Sequence, residues 1–214
     1  VIVALLIIAG LTWAYTTVIS PSIGYKRATN AYSAGDYPTA ISEYTKLNGF
    51  KDSQEMLQKV FAAYADELFD EGEYQTAVNC YRKLAERNIE REQECHYHLM
   101  LNAIAEHDWS SAEIQYGYIK GYSDADERST DIIIGKAEKL IEEKDYLAAN
   151  ELLSSCPSEN EKVAALKKDV QYLIAVSYYE GSNGQKRDYA KAADVFSKLL
   201  EDKEYGEEAK DFLY

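Results

Sequence analysis

The stretch Gly35-Asp36-Tyr37-Pro38-Thr39-Ala40 decides the fold of this chain, because its pattern returns four more times. The other copies are Gly72-Glu73-Tyr74-Gln75-Thr76-Ala77, His107-Asp108-Trp109-Ser110-Ser111-Ala112, Lys144-Asp145-Tyr146-Leu147-Ala148-Ala149 and Arg187-Asp188-Tyr189-Ala190-Lys191-Ala192. The aromatic residues of successive copies are 37, 35, 37 and 43 positions apart. A nearly constant step of this size indicates a repeat protein that stacks similar units side by side.

Each copy predicts a hairpin of two helices. In the first copy Tyr37, Ala40 and Tyr44 recur at helical spacing, and Ala28 belongs to an earlier helix of the same period. Gly35-Asp36 separates the two helices, and glycine suits the left-handed turn that ends a helix. We expect the small alanine to let the two helices approach closely, with the aromatic side chain packed beside it.

A second phrase links the hairpins. Gly49-Phe50-Lys51-Asp52-Ser53 matches Gly121-Tyr122-Ser123-Asp124-Ala125, and each follows the second helix of one hairpin. Aspartate and serine are favoured at helix N-caps. We therefore expect this phrase to cap the helix that opens the next hairpin.

The first twenty residues differ from the rest, because they are apolar and carry no charge. About 20 apolar residues in a helix cover the hydrocarbon core of a bilayer. Trp13 and Tyr15 suit its interface, and Pro21, Ser22 and Gly24 are expected to break the helix. A cleaved signal peptide and a buried soluble helix are the alternatives, although neither a small-residue cleavage site nor an apolar stripe is evident. We predict a transmembrane anchor at 1–20, a linker at 21–27 and a repeat domain at 28–214.

Composition limits the function. The formal net charge is −14, which argues against nucleic acid and anionic lipid as main partners and favours a basic protein surface. The three cysteines are too far apart for a disulfide framework. Phosphate-binding glycine loops and nucleophile elbows are missing from the sequence. Cys95, His96, His98 and His107 are the only potential metal cluster, and their spacing does not make a closed zinc site. We expect a chain with no cofactor, no metal, no evident small-molecule substrate and no catalytic activity.

The hairpins resemble tetratricopeptide repeats, which carry small, aromatic and alanine positions in this order. The fifth unit also resembles a Sel1-like repeat, because Tyr178-Tyr179-Glu180-Gly181-Ser182-Asn183-Gly184 provides a longer glycine-containing loop before Arg187. The sequence departs from the tetratricopeptide pattern where a late alanine is replaced, for example by Leu47 or Leu84, and where a closing proline is missing. The resemblance implies an all-α fold, a right-handed α-solenoid of about five TPR-like hairpins preceded by one transmembrane helix.

The order of an apolar segment, a proline break and a repeat hairpin also resembles membrane-anchored repeat proteins of Gram-positive gut bacteria. That resemblance implies that the repeats are extracytoplasmic. Lys26 and Arg27 favour the opposite orientation, since positive residues tend to stay inside. We predict a single-pass membrane protein with extracytoplasmic repeats.

The resemblance also implies a binding surface, because the first helix of each hairpin lines the inner groove in the tetratricopeptide family. The matching positions here are Tyr32, Asp66, Tyr97, Glu138 and Glu142. Three acids and two tyrosines suit an extended peptide with lysine or arginine residues. We predict a membrane-tethered, non-catalytic scaffold that binds proteins or peptides. The alternative is an accessory or sensory module of a larger envelope enzyme or signalling protein whose active domain lies upstream of Val1.

Overall fold

The computed structural model describes residues 2–156 and 160–213, and the regular elements in these ranges are all helices. In chain order they are α1 (Ile2–Ala14), a π-helical segment (Tyr15–Ile19), α2 (Ser20–Ser33), α3 (Tyr37–Lys46), α4 (Ser53–Asp70), α5 (Tyr74–Tyr81), α6 (Ile89–Ala105), α7 (Trp109–Tyr118), α8 (Ala125–Glu142), α9 (Tyr146–Ser154), α10 (Glu161–Glu180), α11 (Tyr189–Ser197) and α12 (Gly206–Leu213). The predicted all-α, solenoid class of fold is confirmed. The handedness of the solenoid stays a prediction.

The chain divides into two compact units, Val1–Leu99 and Met100–Tyr214. In the first unit α2 packs on α3, α3 on α4, and α4 on α5. In the second unit α7 packs on α8, α8 on α9, α9 on α10, α10 on α11, and α11 on α12. Packing within each unit therefore follows chain order, as in stacked helical hairpins.

The repeated alanines are core positions. All five are at most 1% exposed, namely Ala40, Ala77, Ala112, Ala149 and Ala192. Large side chains such as Tyr44, Tyr81 and Phe196 are also buried, three or four positions further along the same helices. This arrangement confirms that the alanine and its neighbours form the hydrophobic face of the second helix of each hairpin.

The turn inside the first four hairpins uses one left-handed residue. Gly35 and Gly72 have φ values of 75° and 82°, and His107 and Lys144 adopt φ values of 59° and 62° at the same position. In the left-handed region the Cβ of a side chain crowds the following carbonyl, so only glycine fits without cost. The third and fourth hairpins therefore carry local backbone strain at this turn.

The turn of the fifth hairpin is longer than the turns of the first four. Gly181 takes the left-handed conformation at the C-cap of α10, with φ 71°, and the N-cap Asp188 follows only after residues 182–187. In the other hairpins the N-cap directly follows the left-handed residue. The six extra residues explain the longer final step of the repeat.

The hairpin turns also hold the helix caps. The carboxylates of four N-cap aspartates accept hydrogen bonds from backbone N–H groups three residues ahead, namely Asp36, Asp108, Asp145 and Asp188. Asp52 and Asp124 stand at the N-caps of α4 and α8, as expected, but neither side chain makes a capping hydrogen bond. The Asp52 carboxylate instead accepts a 2.6 Å hydrogen bond from the Tyr25 hydroxyl, and Asp124 pairs with Arg128 at 3.1 Å.

The expected helix break at Pro21 is wrong. Helical structure continues to Ser33, so residues 21–27 lie inside α2. The division into anchor, linker and repeat domain stays a prediction. Proline is tolerated in the first turn of a helix, and the wider π-helical turn just before it replaces the usual hydrogen-bond pattern. The N–H of Ser20 there reaches back five residues to the carbonyl of Tyr15. The apolar segment and the first helix of the first hairpin are therefore continuous.

Candidate functional site

The predicted groove residues lie on the first helices of their hairpins. Tyr32, Asp66 and Tyr97 belong to α2, α4 and α6 in the first unit. Glu138 and Glu142 belong to α8 in the second unit. A groove shared by all five residues stays a prediction, and each residue has its own surroundings within its unit.

Tyr32 is a half-buried member of an aromatic stack. Its ring centroid lies 6.1 Å from that of Tyr37, and Tyr37 stacks on Tyr64 at 5.3 Å with an angle of 23° between the rings. Offset aromatic pairs of this kind stabilise packing beyond the area that they bury. The stack joins α2, α3 and α4, so Tyr32 contributes to packing between consecutive helices.

Asp66 is exposed but has a structural partner. The buried Tyr81 hydroxyl donates a 2.6 Å hydrogen bond to the Asp66 carboxylate, which joins α5 to α4. Burial, followed by this bond to Asp66, raises the pKa of Tyr81 above its ordinary value. Asp66 therefore satisfies a buried hydroxyl, and its loss would leave that hydroxyl unpaired.

Tyr97 lies beside an aromatic cluster in the first unit. Its ring centroid is 6.0 Å from that of His98, which stacks on Tyr74 at 4.6 Å with 9° between the rings. Phe69 closes the cluster at 5.8 Å from His98. His98 thus serves as an aromatic platform, and the described residues contain no group of three or more His, Cys, Asp or Glu that could hold a metal ion.

Glu138 and Glu142 form an acidic strip on α8. The two residues are exposed and one helical turn apart, so their side chains lie on the same face. Neither carboxylate forms an ion pair or side-chain hydrogen bond with another residue of the described ranges. Among the candidate residues, these two carboxylates are the most available for a partner.

Among the pockets that the sequence did not predict, two lie at hairpin turns of the second unit. The first, of about 260 Å³, lies between the turn at His107 and Trp109 and the α8 residues Lys136 and Lys139. The second, of about 460 Å³, lies at the equivalent turn around Tyr146, against α10 and the loop after it. No predicted groove residue lines either pocket. The only sequence signal for them was the recurring turn itself.

The repeated aromatic residue reaches the first helix of the next hairpin. Tyr37 stacks on Tyr64, and Tyr74 stacks on His98. In the second unit Trp109 takes the same position against Gly135, which is buried on α8. The aromatic residue therefore packs between hairpins as well as within one.

Consecutive helical hairpins with a recurring alanine and aromatic residue define an all-α repeat protein. Residues 169–202, which cover the end of α10, the following loop and α11, match the family model described as "Tetratricopeptide repeat". The match supports a TPR-like repeat protein. Neither the curated proteins nor the solved structures contain a match to this chain, and the resemblance to repeat proteins of Gram-positive gut bacteria gains no support.

Proposed function

We propose that this chain is a membrane-tethered, non-catalytic scaffold that binds an extended protein segment along the first helices of its hairpins. The observation that carries the proposal is the tetratricopeptide match on the fifth hairpin, within a chain whose other hairpins repeat the same pattern. Stacked repeats present extended surfaces, and holding other proteins is their usual role.

The apolar helix supports the tether. Residues Val3–Ser33 form one helix of 31 residues, whose most apolar window has a mean hydropathy of 1.8 and is not buried against the repeats. By length and composition such a helix can cross a bilayer or act as a signal sequence. The hydroxyls of Thr12, Thr16 and Thr17 donate to carbonyls one turn earlier, which satisfies the polar atoms of an apolar segment.

The partner that suits the repeats is basic. Neither carboxylate of the acidic strip pairs with a cation among the described residues, and the chain carries a net charge of −14. An extended segment with lysine or arginine residues would gain ion pairs along α8. Exposed ion pairs weaken with salt, so the ionic strength dependence of binding reports their contribution.

A peptide titration tests the binding surface. The full chain in detergent is titrated with a fluorescent lysine- and arginine-rich peptide, and anisotropy gives the Kd at several salt concentrations. We expect Glu138→Lys with Glu142→Lys to weaken binding about tenfold, equivalent to about 1.4 kcal/mol. Glu151→Lys with Glu201→Lys is the matched control, since it makes the same two charge reversals at exposed positions of the same unit outside α8. A Kd that does not change with salt concentration, or an equal loss of affinity in the control variant, would refute this binding surface.

Membrane fractionation tests the tether. An integral chain remains in the pellet after alkaline carbonate extraction and keeps residues 1–20 in its mature mass. A released chain that lacks these residues would show a cleaved signal and end the tether proposal. Protease added to intact cells tests the orientation, because extracytoplasmic repeats are digested and cytoplasmic repeats are protected.

A further inference from the structure

A cleft opens where the apolar helix meets the first hairpin. It has a volume of about 490 Å³ and lies between residues Tyr15–Arg27 of the long helix and the end of α3. Gly24 makes the close approach possible, because a Cβ at this position would lie 3.3 Å from Cδ2 of Leu47. The end of the first hairpin is thereby held against the helix.

The cleft is lined by charged, hydroxyl and apolar side chains. Arg27, Lys46 and Glu43 line it together with Thr16 and Ser20, and its apolar lining includes Ile23 and Tyr15, with exposed fractions of 50% and 57%. At 1.5 Å per residue, Arg27 lies about 6 Å beyond Ile23 and about 18 Å beyond Tyr15. A helix from Val3 to Ile23 is about 30 Å long, the thickness of a hydrocarbon core. In a bilayer Arg27 would therefore lie at headgroup level, and Ile23 and Tyr15 would lie along the acyl chains.

This part of the chain is close to neutral, unlike the strongly acidic remainder. Residues 1–55 contain four basic and four acidic side chains, whereas the whole chain has a net charge of −14. Three of these cations gather near the point where the helix leaves its apolar part. Arg27 and Lys46 line the cleft, and the Lys51 ammonium lies 4.7 Å from the ring centroid of Tyr25. The chain-wide argument against anionic lipid does not hold at this place.

One carboxylate shares the cleft. Glu43 lies 2.7 Å from the Lys46 ammonium, so it neutralises part of the positive charge. Arg27, Lys46 and Glu43 together leave one positive charge, which matches a ligand with a single negative charge. The guanidinium of arginine binds phosphate through paired N–H donors, and the lysine ammonium adds a point charge.

We propose that this cleft binds the phosphodiester headgroup of an anionic phospholipid from the surrounding bilayer, a proposal that rests on the membrane tether proposed above. The phosphate lies between Arg27 and Lys46, and the acyl chains follow Ile23 and Tyr15 along the helix. A basic pocket beside a membrane-spanning helix has the charge and depth for such a headgroup. The bound lipid would fix the first hairpin at the membrane surface.

Native mass spectrometry of the full chain in detergent tests the proposal. The chain is titrated with phosphatidylglycerol, with phosphatidylcholine and with soluble glycerol phosphate. We expect the first phosphatidylglycerol to bind about tenfold more tightly than phosphatidylcholine, equivalent to about 1.4 kcal/mol. Arg27→Gln with Lys46→Gln should remove this preference while circular dichroism shows an unchanged helix content.

Lys198→Gln with Lys59→Gln is the matched control, since it also removes two positive charges from exposed, carboxylate-paired sites outside the cleft. Lys198 has an exposed side-chain fraction of 61% against 66% for Lys46, and it also pairs with a carboxylate, at 2.8 Å from Asp194. An equal loss of preference in this control, or no preference in the unchanged chain, would overturn the lipid site. Equally tight binding of glycerol phosphate would assign the cleft to a soluble phosphate ester and likewise overturn it. Carbonate extraction separates the two proposals, since an embedded chain without lipid preference refutes the cleft alone.

Discussion

Replacing Gly135 with alanine should destabilise the second unit, although alanine is the better helix former. Gly135 is buried on α8, and the indole of Trp109 covers the space where a Cβ would stand. A Cβ built there would lie 2.6 Å from Cη2 of Trp109 and closer still to Cζ2 and Cε2. Real Cβ contacts do not reach such distances, so either the indole or α8 must shift.

The size of the effect follows from two opposing contributions. Overpacking a well-packed site costs about 1–3 kcal/mol. Alanine gains about 1 kcal/mol over glycine within a helix, which offsets part of that cost. The indole has little freedom to move away, since Trp109 is also stacked on His107 at 5.2 Å. We expect Gly135→Ala to lower the free energy of unfolding by up to about 2 kcal/mol.

A double-mutant cycle with Trp109→Ala makes this reasoning testable. Without the indole the added methyl group meets no ring, and only the gain in helix propensity remains. Gly135→Ala should then stabilise the chain by about 0.5–1 kcal/mol, so the sign of the effect reverses between the two backgrounds. Urea unfolding of the full chain in detergent, followed by circular dichroism at the helix band, measures all four variants.

The same cycle defines the result that would refute the contact. If Gly135→Ala stabilises the chain equally with and without Trp109, the indole does not lie on α8. The fluorescence of Trp109 in a Trp13→Phe background gives an independent reading, because the chain has only two tryptophans. A displaced indole should change its emission in Gly135→Ala, whereas an unaltered spectrum with unaltered stability would contradict the packing argument.

Three further predictions concern the caps and links between hairpins. Ser53→Ala should leave the free energy of unfolding in urea unchanged or raise it by about 1 kcal/mol, because the buried Ser53 Oγ has no hydrogen-bond partner. The matching residue in the later copy of the phrase is Ala125. A loss of more than about 1 kcal/mol would show that Ser53 makes a hydrogen bond after all. Glu73→Asp should raise the free energy of unfolding by about 0.5–1 kcal/mol in the same assay. The Glu73 side chain makes no capping hydrogen bond, whereas an aspartate at the same position caps the helix in the other four hairpins. An unchanged stability would show that the new aspartate does not cap α5. The Lys168 ammonium and two backbone N–H groups lower the pKa of Asp202 to about 2, so its contribution is present above the unfolded value of 3.8 and is lost as the pH falls towards 2. In Asp202→Asn the melting temperature should therefore depend less on pH between about 3.8 and 2 than in the unchanged chain. The same pH dependence in both chains would contradict the ion pair.

The repeat and its hairpins could be predicted from the sequence because the residues that pack the core recur in register. The alanine and the aromatic residue of each copy occupy the same place relative to the helix, so their spacing alone indicates the period. The caps could not be assigned in this way. Aspartate serves both turns and N-caps, and only the backbone shows that Asp36 caps its helix while Asp52 accepts from Tyr25 instead.

The groove was harder to predict than the fold, because residues on one helix face can either bind a partner or pack against a neighbouring helix. Tyr32 and Asp66 stand at positions that match a binding groove, yet one packs against Tyr37 and the other satisfies Tyr81. Sequence spacing indicates which face a residue lies on but not whether a neighbouring helix already uses it. Glu138 and Glu142 differ from these two only because no basic side chain of the described residues has reached them.

For a related reason, the net charge of the whole chain is a poor guide to what binds at one place on its surface. A net charge of −14 describes the chain as a whole, and on that basis we predict a basic protein partner rather than nucleic acid. It does not describe the junction of the apolar helix and the first hairpin, where continuous helix across Pro21 brings Arg27 and Lys46 to one cleft. Electrostatic attraction falls off within about 8–10 Å at ordinary ionic strength, so the local cations decide what binds there. With the proposed tether, the same chain would repel anionic surfaces along its repeats and hold an anionic lipid beside its apolar helix.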